Sequence, residues 1–211
     1  VRYVALLGVL VVLLIFSPAE ARLGNVVKIV YAHGAMERVA TWAYILAGGL
    51  GLVSLASRAL TPISHLQSPI LHWTRALTEV ALVFWLAQIV ISAPAQVMAW
   101  GGITLSEPRV ASALRILFVT ALVYGVARWM DKPLAMAFAA LANLAIVVIV
   151  LHNTLNVLHP LNPIVDSDST TIKIFYTLIV VTAALLAVQL AVERVEQISR
   201  AFHARNEKWQ R

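Results

Sequence analysis

The chain has 211 residues, of which 61% are hydrophobic and only 12% charged, with a formal net charge of +6. Ordinary soluble domains are roughly 45–50% apolar and about 25% charged, so this composition excludes a soluble globular enzyme and a disordered chain. The 16 Lys and Arg never occur two in a row. No basic stripe with interleaved aromatics is present, so nucleic acid is not an expected partner. Cysteine is absent from the sequence. That removes disulfides, thiolate metal sites and covalent c-type haem from this chain. What remains is an all-α polytopic transmembrane helical bundle in a lipid bilayer.

About 20 apolar residues span a bilayer core, and six candidate spans follow one another. The first, Val4–Phe16, is short and wholly apolar. Arg2, this apolar run and Ala19-Glu20-Ala21 together also fit a signal peptide with a small-x-small cleavage site. Ala35–Ala56 carries Gly48, Gly49 and Gly51, which suit close helix packing. Ala76–Ala93 contains Glu79 and Gln88, Ala111–Ala127 contains Arg115, and Leu134–Leu151 contains Asn143. Ile174–Val192 runs into a polar end. The runs are continuous rather than alternating, which argues against a β-barrel. The expected organisation is one membrane domain over residues 1–195 and a cytoplasmic tail over 196–211.

Ten of the Lys and Arg, among them Arg58, Arg75, Arg128, Lys132 and Arg194, fall on one side of these spans, and six on the other. The positive-inside rule then puts both termini in the cytoplasm. Trp73, Trp100 and Trp129 stand at span ends, where interfacial tryptophan is expected. The valine at position 1 reads as a non-ATG start and sets the expectation of a bacterial or archaeal cytoplasmic membrane.

Ionisable and amide residues within spans need partners. Arg75 and Glu79 are four apart, the spacing of an ion pair on one helix face. A sharper reading makes this an inner site, with His65 or His72 beside it. Gln88 and Asn143 are expected to bond between helices. Arg115 is expected to snorkel outward or to pair with Glu107.

Three segments fall on the outer side. Lys28 to Arg38 contains Tyr31, His33 and Glu37. Gln96 to Ser112 reads as an interfacial loop or short helix. In it, Gly101-Gly102 permits close backbone approach, Pro108 suits a turn or helix start, and Arg109 offers a fork for a carboxylate such as a haem propionate. His152 to Pro163 contains His159, with His152 as a rival. Two histidines on one face, from separate helices, are what a bis-imidazole haem iron requires.

These segments resemble the cytochrome c assembly superfamily of haem-handling membrane proteins, which includes the CcmC and CcsA types. The family's tryptophan-rich loop, W-G-x-W-W-x-W-D-P-R-L-T-S, aligns without a gap on residues 100–112. Trp100, Gly101, Pro108, Arg109 and Ser112 match, and Glu107 stands for the aspartate. Ile103, Thr104 and Ser106 occupy the positions of the loop's inner tryptophans. Tyr31-Ala32-His33 is similar to the family's Y-x-H-V-P, with Gly34-Ala35 in place of Val-Pro. Asn156-Val157-Leu158-His159 is similar to N-T-L-H-Q, with Pro160 in place of Gln. The likeness covers residues 1–195.

The resemblance implies non-covalent haem b, with His33 and His159 as axial ligands. Trp100, Glu107 and Arg109 would lie in the covering loop. It further implies haem transport in cytochrome c maturation rather than enzymatic bond-making. The partners would be other integral membrane subunits and a haem acceptor or redox partner on the outer face. The alternative is a haem-carrying or structural subunit of a respiratory or photosynthetic electron-transfer complex.

Overall fold

A computed structural model describes residues 2–60, 64–154, 164 and 167–209; the side chains of residues 2, 59–68 and 205–209 are outside that description. Among the described residues the chain forms six α-helices and no strand. They are α1 (Arg2–Phe16), α2 (Val27–Leu60), α3 (Ser64–Trp100), α4 (Pro108–Met130), α5 (Pro133–His152) and α6 (Thr170–Trp209). Five of them, α2 to α6, are long and apolar enough to cross a membrane. The protein is an all-α polytopic membrane bundle. The 15 residues of α1 extend about 22 Å, short of the roughly 30 Å hydrocarbon core, and it lies against α6 and α2.

All six expected spans lie inside these helices, but the helices run further. Backbone N–H and C=O groups need partners at membrane depth, and a helix supplies them locally whatever its side chains. So α2 already includes Lys28, His33, Glu37 and Arg38. Likewise α3 continues through Pro94 and Gln96 to Trp100, leaving residues 101–107 between it and α4. The expectation of a loop or short helix from Gln96 is corrected there. Gly101, at φ 78°, ends α3 in a conformation that favours glycine, and its N–H bonds the Val97 carbonyl at 2.9 Å.

The start of α4 is built as Pro108 suggests. Pro108 is the first helical residue, and the Glu107 carboxylate accepts from the Val110 N–H at 2.7 Å. Asp131, at φ 47°, ends the helix, and Pro133 opens α5 two residues later. So short a link makes α4 and α5 antiparallel neighbours.

The core runs along α2. Tyr31, Ala35, Ala40, Tyr44 and Ala47 are buried on it, with Trp85 of α3, Ile116 of α4, Val147 of α5 and Ile179 of α6. Small residues let the helix axes approach, which matters where lipid removes any hydrophobic drive between helices. A Cβ on Gly48 would fall 2.7 Å from Leu144 Cβ, and one on Gly51 would fall 2.7 Å from the Ala137 carbonyl oxygen. Both glycines therefore serve the contact of α2 with α5, as expected, whereas Gly49 has nothing within 4 Å. Large apolar side chains such as Phe118, 72% exposed, face outward as a lipid-facing surface would.

Candidate functional site

The bundle has two polar ends. One holds His33, the 101–107 loop and His152; the other holds Arg58, Arg128 and the continuation of α6.

At the His33 end, α2 presents His33 and Glu37 one turn apart. His33 Nδ1 lies 3.1 Å from the backbone carbonyl of Gln88 on α3. In the tautomer that donates from Nδ1, this contact sets the ring and leaves Nε2 as the basic nitrogen, directed to Glu37 Oε2 at 3.8 Å. Arg109, in the first turn of α4, donates to Glu37 Oε1 at 3.3 Å. His33, Glu37 and Arg109 are 22%, 18% and 26% exposed, so the trio sits in a partly dehydrated surface where charge counts for more than in open water. Beside it, Arg38 lies over the Tyr176 ring, 5.8 Å from its centroid. Tyr176 also abuts the bare Cα of Gly34, where an added Cβ would lie 3.1 Å from the phenol oxygen.

Of the residues singled out in the sequence, His33 and Arg109 are brought together, through Glu37. Glu107 is 2% exposed and caps α4. Trp100 occupies the last position of α3, 42% exposed. His159 lies outside the described residues, as do Asn156 and Pro160. His152 ends α5 and is exposed. The sequence reading passed over Glu37 as the bridge, although an acidic residue four positions from a histidine at a span boundary is a signal of one.

The Gln88 Nε2 is buried and has no hydrogen-bond partner among the described residues, while the backbone carbonyl of Gln88 receives His33. Asn143 does as expected, donating from α5 to the Thr120 carbonyl of α4 at 3.3 Å. Arg115 is exposed on α4.

At the other end, the expected Arg75–Glu79 pair is present at 2.9 Å and proves to be part of a larger cluster. Glu79 also accepts from the Tyr124 hydroxyl of α4 and from Nε of Arg194 on α6, and Arg194 Nη2 reaches its other oxygen at 3.3 Å. One carboxylate thus ties α3, α4 and α6. His72 stacks edge-on against Phe202 at 5.7 Å. The side chain of His65 is outside the described residues.

The fold therefore defines a multi-pass membrane protein, with its charged side chains gathered at the two ends of the bundle. No family model and no curated protein matches the sequence.

The donor set at the His33 end is compatible with a haem edge. It comprises an imidazole held through one nitrogen and a guanidinium within reach of an anionic group. The Nε2 of Gln88, buried and without a hydrogen-bond partner among the described residues, is a further donor on the helix that receives His33.

Proposed function

We propose that this protein binds haem b non-covalently at the His33 end and handles it in the manner of the cytochrome c assembly superfamily. The observation that carries the reading is the anchoring of His33 through Nδ1 to the Gln88 carbonyl. Metal-ligating histidines almost always give their second nitrogen to such a partner, which fixes the tautomer and raises ligand basicity. His33 would supply one axial imidazole and, by the resemblance, His159 the other. Haem so held supplies a cofactor that can be passed on or can change by one electron.

The chain's own residues tune that site. Glu37 holds Arg109 at the helix boundary. Arg109 carries five N–H donors, so a propionate can share it with Glu37. Glu107 fixes the direction in which α4 leaves the loop. The role is to hold and pass on haem rather than to make bonds. Its partners would be other membrane subunits and an acceptor facing the His33 end. The excess of Lys and Arg at the opposite end favours a cytoplasmic placement for both termini, in a bacterial or archaeal inner membrane.

The test is the absorption spectrum of the purified protein, oxidised and dithionite-reduced, beside His33→Ala and His33→Ala/His159→Ala. The expected result is a six-coordinate b-type spectrum that is weakened in the single variant and lost in the double. A haem-free wild type, or a double variant with an unchanged spectrum, overturns the reading.

A second reading is favoured by the loop itself. Ile103, at a position where the family carries tryptophan, and Leu105 two residues on are 54% and 64% exposed, an apolar surface suited to a neighbouring subunit. In that case the protein is a haem-carrying or structural member of an electron-transfer complex. Haem that moves to an apocytochrome supports delivery; haem retained through redox cycles in a stoichiometric complex supports the subunit.

A further inference from the structure

At the end opposite His33, the helices leave a cavity of about 380 Å³. It is bounded by the last turns of α2 and α4, the first turn of α5, the early part of α3 and the far part of α6. Four cationic side chains line it: Arg58, Arg75, Arg128 and Lys132. Among the described residues its one carboxylate is Asp131. A basic residue in the last turn of a helix ordinarily answers the helix dipole, and Arg58 and Arg128 both hold that position. That role does not require them to converge. Here the two come from different helices and meet Arg75 and Lys132 around a single space.

Three features set the sign and the depth of this space. The first turn of α5 opens into it, so the positive end of that helix dipole offsets part of the negative ends of α2 and α4, which Arg58 and Arg128 also answer. Arg75 is held through Nε by Glu79, but Glu79 is already shared with Arg194. Counting that cluster with the lining leaves, among the described residues, five cations against two carboxylates. Beside the cations, Leu71, Met136, Ile198 and Phe202 form apolar walls. Trp129 and Trp73, 86% and 36% exposed, stand next in sequence to Arg128 and His72 and mark this level as the membrane interface. The volume is in the range of about 300–1,000 Å³ usual for small-ligand sites.

We infer that this cavity is a binding site for a phosphate-bearing anion at the membrane interface, with Arg58, Arg128 and Lys132 as its contacts and Arg75 as a positioning residue. The chemistry is shared by two sources: the glycerophosphate headgroup of an anionic phospholipid, and a soluble phosphate. A headgroup would use the apolar walls as well as the cations. Basic pockets between membrane helices bind anionic headgroups by the same means.

The experiment uses the full chain, purified in a neutral detergent, and native mass spectrometry. Wild type is titrated with phosphatidylglycerol, with phosphatidylcholine, and with phosphatidylglycerol in the presence of inorganic phosphate. The same series is run on Arg58→Gln/Arg128→Gln, on Lys132→Gln at an exposed position, and on Arg115→Gln at the opposite end as control. Phosphatidylglycerol is expected to be retained over phosphatidylcholine, with affinity falling about fivefold for each cavity cation removed and unchanged in Arg115→Gln. Retention undisturbed by inorganic phosphate assigns the site to lipid; displacement by it assigns the site to a soluble phosphate. Equal retention of the two lipids by wild type, with no displacement by phosphate, overturns the inference. So does undiminished phosphatidylglycerol binding in Lys132→Gln together with the double variant. The wild-type comparison stands even if the double variant does not fold.

Discussion

Replacing Gly51 by alanine tests the packing that organises the bundle, and Gly49 supplies its control two residues away. Both positions lie in the interior of α2, so both gain the same helix propensity, roughly 1 kcal/mol in water for Gly→Ala. Only the surroundings differ. The new Cβ at Gly49 meets nothing within 4 Å. At Gly51 it meets the Ala137 carbonyl oxygen at 2.7 Å, about 0.7 Å inside an ordinary contact of 3.4 Å. That oxygen belongs to the backbone of α5 and has no rotamer to adopt, so α2 and α5 must separate. Overpacking of this kind costs about 1–3 kcal/mol. The propensity gain cancels in the comparison, so Gly51→Ala should be less stable than Gly49→Ala by about 1–3 kcal/mol, with Gly49→Ala at or above wild type. Reversible unfolding in detergent, followed by far-UV circular dichroism against denaturant, measures the difference. Equal midpoints for the two variants would refute the argument that α2 and α5 meet through Gly51.

Glu79→Gln removes the carboxylate that Arg75 and Arg194 share; a loss of about 1–3 kcal/mol is expected, below the roughly 3–5 of a fully buried pair because Arg194 is 38% exposed. Tyr124→Phe removes one bond to the same carboxylate and should cost less, so an unfolding series in which Tyr124→Phe is less stable than Glu79→Gln would contradict this assignment. Glu107→Ala leaves the first turn of α4 without its cap, at about 0.5–2 kcal/mol, and should speed hydrogen exchange at the Val110 amide while exchange at mid-helix amides stays unchanged. Glu20, in the turn before α2, accepts from the N–H groups of Leu23 and Arg22, each at 2.9 Å, and these bonds hold its carboxyl below the usual carboxylate range. A folded-state pKa below the unfolded one means that the turn is supported above the ordinary carboxylate range and loosens as pH falls through the lowered value. Protection of the Leu23 amide, taken relative to its intrinsic exchange rate at each pH, should fall on acidification in wild type and be lower and flat with pH in Glu20→Gln; pH-independent protection in wild type would refute it.

The spans were legible because apolar runs near 20 residues have one stable form in lipid. The helix ends were not. Lys28 to Arg38 and Gln96 to Trp100 look external by polarity, yet their backbone bonds continue the helices, and Gly101 and the Glu107-Pro108 pair mark where α3 ends and α4 begins. Arg75 with Glu79 was readable at one helical turn. Tyr124 and Arg194, 45 and 115 residues from Glu79, carry no local sign of joining it. At the candidate haem site, His33 and Arg109 were picked out by motif, but the carboxylate between them and the Gln88 carbonyl behind the ring were not. A backbone carbonyl has no residue type to recognise.

Composition alone decides that this chain lives in a bilayer, since 61% hydrophobic residues leave too little polar surface to face water. Hydropathy then sets the number and order of the helices, because each span must satisfy its own backbone. Which polar groups meet is decided only by the packing of those helices. Gly48 and Gly51 let α5 close on α2, Glu79 ties α3, α4 and α6, and the two-residue link at Asp131-Lys132 turns the first turn of α5 toward Arg58 and Arg128. Charges far apart in the chain become neighbours there because close approach of the helices, rather than any local pattern, brings them within reach of one another.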